Sequence, residues 1–223
     1  MKIKKVAFNP NRMRYRKYRL LFWMMLLFAA LSIYASFDYQ VWYGVGWAIL
    51  FLVLALFCQR KTKILKSGLE GEEKTATLLR KLPKEYTVYS TIPLEVEGAR
   101  SEIDLLVISV YGLYVVEVKN HHGAIYGKKN QTTWRQERGK SIKYFKNPLK
   151  QLSQEINLLS KTLNSFHIHV PIQGCVFFSN VKRLRVDTYD VLMNDDLLLE
   201  KIQQERVPII KKSEIRKIKR VLR

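Results

Sequence analysis

Two apolar runs, residues 20–37 with only Ser and Tyr interruptions and residues 41–58, precede a longer region in which apolar positions alternate or recur with helical spacing. Each run is close to the roughly 20 residues that span a bilayer. Between them lies a short polar tip, Asp38-Tyr39-Gln40. Arg12, Arg14, Arg16, Lys17 and Arg19 precede the first run, and Arg60, Lys61, Lys63 and Lys66 follow the second. Positive charge outside both ends and none at the tip predicts a hairpin with both termini cytoplasmic and Asp38 outside. Tyr34, Tyr39, Trp42 and Tyr43 suit the outer interface. A cleaved leader fits poorly, because a second run follows at once and no small-residue cleavage site stands out. A buried soluble helical hairpin is the other alternative.

Residues 64–223 read as one cytoplasmic domain after a basic segment and membrane hairpin over residues 1–63. Ser67 and Glu70 form a capping-box pattern that predicts a helix to about residue 82. Leu69, Ala76 and Leu79 give its apolar stripe, and Glu72 falls on it. Residues 86–92 read as a strand stopped by Pro93, followed by a polar loop over 94–101. Residues 102–108 and 114–120 flank Tyr111-Gly112 and predict a β-hairpin. A short strand at 124–126 turns through 127–131 and pairs back over 132–136. Asn147-Pro148 caps a helix whose apolar residues, Leu149, Leu152, Ile156, Leu159 and Leu163, keep the 3.6 period. Residues 171–178 read as a central strand and 190–193 as a short one. Asn194 caps a helix to about 204, and 213–222 form a basic helix. The order predicts an α/β fold with a central mixed sheet flanked by helices.

Charge adds a partner class. The 223 residues carry 39 Lys and Arg against 19 Asp and Glu, a net charge of +20. Such an excess calls for an anionic partner, nucleic acid or a lipid surface, and the basic amino terminus accounts for part of it by holding anionic lipid. The two cysteines, Cys58 and Cys175, have neither metal-ligand spacing nor a disulfide pattern.

The chemistry concentrates in the hairpin. Asp104 interrupts an apolar run and must be paired, hydrogen-bonded or metal-bound. Glu117 and Lys119 are two apart, so they share a face of the second strand. Asp104 and Glu117, with the Val118 carbonyl, form a candidate Mg²⁺ site, with Mn²⁺ as a substitute. Lys119 would orient or deprotonate a water and stabilise charge on a phosphorane-like transition state. Glu72 would support a second metal or the water; its plainer reading is a stripe-edge residue paired with a lysine. A solvent-facing Glu–Lys row is the plainer reading of Glu117 and Lys119 alone. Lys128 and Lys129 at a hairpin tip, with Arg135, form a candidate phosphate-backbone contact or a solvated turn. His121-His122 and the His167/His169 pair lack the spacing of a zinc set.

Taken together, Gly68-Leu69-Glu70-Gly71-Glu72, Glu102-Ile103-Asp104, Val116-Glu117-Val118-Lys119-Asn120 with Gly123, and Asn147-Pro148-Leu149-Lys150-Gln151 resemble the nuclease-related domain (NERD) family. That family is similar to the restriction-endonuclease-like PD-(D/E)XK superfamily. The resemblance covers residues 66–180. It implies a restriction-endonuclease-like central mixed β-sheet flanked by helices, here preceded by a two-helix transmembrane hairpin. It also implies Glu72, Asp104, Glu117, Lys119 and Gln151 as the active-site set, and Mg²⁺-dependent hydrolysis of DNA. Ile103 stands where the superfamily signature has Pro. The alternative is a non-catalytic nucleic-acid- or protein-binding module on the membrane, with its carboxylates serving structure.

Overall fold

The computed structural model describes residues 4–5, 9–40 and 42–222. Val41, the first residue of the second apolar run, and Lys2 of the basic segment lie outside them. Two units are resolved: residues 9–69, and residues 70–223 together with the amino-terminal strand β1 (Lys4–Lys5).

The first unit contains α1 (Pro10–Asp38) and most of α2 (Tyr43–Leu78). Asn9 caps α1, its side chain accepting from the Arg12 N–H at 2.9 Å. Ala29, Ala48 and Ala55 are buried, and Phe28 meets Phe51 with ring centroids 5.5 Å apart. Gly44 permits the close approach, since a Cβ there would strike Ser36. Most of the large apolar side chains, among them Trp23, Leu27, Leu31, Leu52 and Val53, face outward. Both helices are long and apolar enough to cross a membrane.

The Ser67/Glu70 pattern does not start a helix. Residues 43–78 form one helix that continues through both positions and ends in a 3-10 turn, Leu79–Lys81. No residue of the intervening stretch breaks it; Gly68 costs only about 1 kcal/mol in a helix interior.

The second unit is mixed α/β. Its larger sheet comprises β1, β2 (Thr87–Val96), β3 (Ala99–Ser109), β4 (Gly112–Lys119), β8 (Ile172–Phe178) and β10 (Val191–Leu192), in the order β1-β2-β3-β4-β8-β10. β2, β3 and β4 are antiparallel neighbours; β4, β8 and β10 run parallel. The predicted hairpin around Tyr111-Gly112 is β3–β4. Pro93 does not end β2, which runs on to Val96 with Pro93 opposite Glu102. Among the described residues, β1 pairs with Tyr89 and Ser90 and no strand other than β3 pairs at Pro93, where a missing N–H is tolerated.

A second sheet, ordered β7-β6-β5-β9, comprises β5 (Gly123–Gly127), β6 (Thr133–Arg138), β7 (Ser141–Lys146) and β9 (Val181–Val186). The sequence reading contains only its β5–β6 hairpin. The remaining helices are α3 (Pro148–Asn164), α4 (Asp195–Ile202) and α5 (Lys212–Val221). Asn147 and Asn194 are the predicted caps of α3 and α4.

Strands β3 and β4 are apolar throughout because both faces are covered. Leu106, Ile108, Leu113 and Val115 join the core that includes Leu152, Leu159 and Leu163 of α3. Leu105, Val107, Tyr114, Val116 and Val118 join the opposite core, with Ala76, Leu79, Leu198 and Ile202. Strand alternation then places Asp104, Glu117 and Lys119 on the α3 face, where no apolar neighbour can satisfy them.

Candidate active site

The three hairpin residues meet where the β3–β4 ladder stops. Its last pair toward the site is Leu105 with Val116. Beyond it, Asp104 Oδ2 accepts from the Val118 N–H at 2.8 Å, so a side chain replaces a strand carbonyl. Glu117 is 1 % exposed, and its Oε1 forms an ion pair with Lys119 Nζ. The predicted shared face of Glu117 and Lys119 is therefore a direct contact.

Helix α3 supplies the next layer. Lys119 Nζ donates to Gln151 Oε1 at 2.9 Å, and Gln151 Nε2 donates to Glu155 Oε1 at 2.9 Å. An amide offers one accepting and one donating end, so Glu155 fixes which end faces Lys119. Glu155 is fully buried and was missed in the sequence. A signal existed: it lies three residues after Leu152 and four before Leu159, the same stripe position that marked Glu72.

Glu72 reaches the site from α2. A Cβ on Gly71 would lie 2.6 Å from Asn120 Cβ and 3.2 Å from Ser179 Oγ, so this turn rests directly against the residue following Lys119. Ser179 Oγ donates to Asn120 Oδ1 at 3.2 Å, and Lys74 Nζ donates to the Ser179 carbonyl at 2.9 Å. Glu72 is half-buried, and its charge acts on Asp104.

The electrostatics follow from crowding. Burial first, then the charges of Glu117 and Glu72, raises Asp104 well above the usual carboxylate range; the Val118 N–H and Lys119 offset part of this. Burial, then Glu117 and Asp104, pushes Glu155 up to about 10. Burial works to lower Lys119, but Glu117, Asp104 and Glu155 outweigh it and hold the amine above its ordinary value. Burial, then Lys119 and His122, brings His121 down to about 4, and its ring packs edge-on to Phe145 with centroids 4.5 Å apart. His121 is thus half-buried against the aromatic rings of Phe145 and Phe178.

Among the described residues, no three His, Cys, Asp or Glu side chains converge into a metal-binding group. The candidate donors are two carboxylates, Asp104 and Glu117, with the Val118 carbonyl expected from the sequence. One or two carboxylates completed by waters and phosphate oxygens suit Mg²⁺. Glu117 Oε2 and Glu155 Oε2 are buried without a hydrogen-bond donor. A proton held on Glu155 or a bound cation satisfies such oxygens, so the site fits a hard cation.

The backbone of the basic hairpin tip is tied down by hydrogen bonds. The Lys128 carbonyl accepts from Trp134 Nε1 at 3.0 Å, and the Lys129 carbonyl accepts from Asn147 Nδ2 at 2.9 Å. The Lys128 and Lys129 side chains are exposed. Arg135 lies over the Tyr126 ring at 4.7 Å and pairs with Glu137 at 3.0 Å.

The model of a family described as "Nuclease-related domain" matches residues 67–179, a span that contains Glu72, Asp104, Glu117, Lys119, Gln151 and Glu155. An uncharacterised protein of Bacillus anthracis is 35 % identical over 94 residues, 41 % of this chain and 44 % of that protein. The chain thus spans less than half the length of the curated relative it matches. No solved structure matches it.

Proposed function

The chain belongs to the nuclease-related domain family, and on that basis we propose that it is a membrane-anchored, Mg²⁺-dependent nuclease that hydrolyses DNA phosphodiester bonds. The observation that carries this reading is the convergence of Asp104, Glu117 and Lys119 at one strand end, with Gln151 bonded to the lysine. Asp104, Glu117 and the Val118 carbonyl would hold the cation, with Glu72 in support. A cation held there supplies Lewis-acid stabilisation and an activated water.

The chain's own groups do the rest. Lys119 stays protonated, because its acidic neighbours, Glu117 foremost, outweigh burial and hold it above its ordinary value. It therefore acts as a fixed positive charge that orients the water and stabilises oxyanion charge, and proton abstraction is left to another group. Gln151 aims the ammonium, and Glu155 aims Gln151.

The two apolar helices and their basic flanks support a cell-membrane anchor with both termini and the second unit cytoplasmic. The lipid bilayer is then a standing partner, and DNA the substrate.

The test uses the full chain in neutral micelles with circular and linear DNA, in Mg²⁺, Mn²⁺ or chelator. Metal-dependent cleavage lost in Glu117→Gln is the expected result. A folded protein that retains DNA binding but cuts under no metal would favour the alternative, a non-catalytic binding module. Asp104→Ala adds a second check: in a nuclease it abolishes cleavage while DNA binding is retained or changed modestly.

A further inference from the structure

The second sheet has one face in the core and one face open. Ile125 and Trp134 point inward, and Trp134 stacks toward Phe178 with centroids 6.4 Å apart. Alternation turns the intervening residues outward. The strand registers join these outward residues into rows, because Tyr126 lies opposite both Arg185 and Arg135, and Arg135 lies opposite Tyr144. One row across four strands therefore reads Arg185, Tyr126, Arg135, Tyr144. Neighbouring strands are about 4.8 Å apart, so the row is about 14 Å long. Arg183 and Lys146 share this face in adjoining rows. Tyr144 is 71 % exposed, and Arg183 and Arg185 are exposed. Glu137 is the only acid in the four strands. It clamps Arg135 against the Tyr126 ring, leaving Arg185 and Tyr144 as the free ends of the row.

Cations alternating with ring faces match a chain in which phosphates alternate with unpaired bases. A duplex turns its base faces inward and would use only the cations. We propose that this open face is a track for single-stranded nucleic acid, with the free guanidiniums of Arg183 and Arg185 on the phosphates and Tyr144 stacking a base. The proposal deepens the nuclease reading and rests on it only for the fate of the strand. The sheet is joined to the active site by chain: β5 begins soon after Lys119, and β7 ends just before the α3 turn that carries Gln151.

The experiment measures binding of fluorescein-labelled oligothymidylate, and of its duplex with oligoadenylate, to the full chain in neutral micelles with chelator. Fluorescence anisotropy is read over a range of salt. The single strand should bind more tightly. Tyr144→Ala should weaken single-strand binding about tenfold, the scale of one base–aromatic stack, and leave the duplex unchanged. Arg185→Ala should lower the log–log salt slope by about 0.7. Glu137→Gln should tighten binding. Lys140→Ala, on the β6–β7 turn, controls for charge alone, and thermal melts control for folding. Folded Tyr144 and Arg185 variants that bind the single strand like wild type would overturn the proposal. So would equal Tyr144→Ala losses for both forms. The two readings fail separately. Cleavage with a wild-type response in these variants removes the track and keeps the nuclease; strand binding without metal-dependent cleavage does the reverse.

Discussion

Glu155→Gln tests the electrostatics of the site without removing an atom of its packing. In the folded chain Glu155 is pushed up to about 10 from an ordinary value near 4.5. The folded state therefore binds a proton that the unfolded state has released. Stability is fully present below the unfolded value near 4.5 and is lost as pH rises toward about 10. At pH 8 about 3.5 pH units separate the solution from the unfolded value, and at about 1.4 kcal/mol per unit the ceiling is about 5 kcal/mol. Local relaxation and water penetration lower the expected figure to about 2–4 kcal/mol. An amide at this position pays none of it. Its carbonyl still accepts from Gln151, and its amino group can donate to the neighbouring Glu117 carboxylate. The assay is denaturant unfolding from pH 5 to pH 9 in chelator, followed by near-ultraviolet dichroism of the buried Trp134 and Tyr89. Wild type should lose stability across the range. Glu155→Gln should be flatter, nearly equal to wild type at pH 5 and more stable at pH 8. Parallel curves, or a variant weaker at pH 8, would refute the argument.

Three further perturbations probe neighbouring parts of the unit. Gly71→Ala places a methyl 2.6 Å from Asn120 Cβ, and should cost about 1–3 kcal/mol by overpacking; an unchanged melting temperature would remove the close approach. Trp134→Ala empties a site 1 % exposed and frees the Lys128 carbonyl, costing about 3–5 kcal/mol and opening residues 128–131 to limited proteolysis. Glu72→Gln removes a charge that raises Asp104, so the pH at which Mn²⁺ binding is half lost should move downward, as read by proton-relaxation titration; an upward move would contradict the assigned proximity.

What the sequence showed and what it hid divide along one physical line. A lone Asp104 in a run covered on both faces, and Glu117 with Lys119 at a spacing of two, are local patterns, and the structure brings all three together. Gln151 came only from the family resemblance, because one turn into a helix a glutamine looks like any exposed polar residue. Its importance lies in Lys119, 32 residues away in the chain. Glu155 was readable in principle, since the stripe argument applied to Glu72 applies to it unchanged. The second sheet was hidden differently. Val181–Val186 alternates only from Arg183 onward, because Lys182 and Arg183 stand side by side, and that is too short a period to mark a strand. Even a correct strand assignment would not have produced the Arg–Tyr row. That row depends on which residue faces which across three ladders, and a slip of one position sends every side chain to the other face. The register is set in part at Gly123, where β5 and β9 shift by a residue and φ is +86°. A Cβ there would strike the Glu137 carbonyl. A glycine in the sequence announces a bend or a close approach. The ladder alone shows that this one aligns Arg183 and Arg185 with the outward faces of Ala124 and Tyr126, and so turns scattered positive charge into an ordered surface.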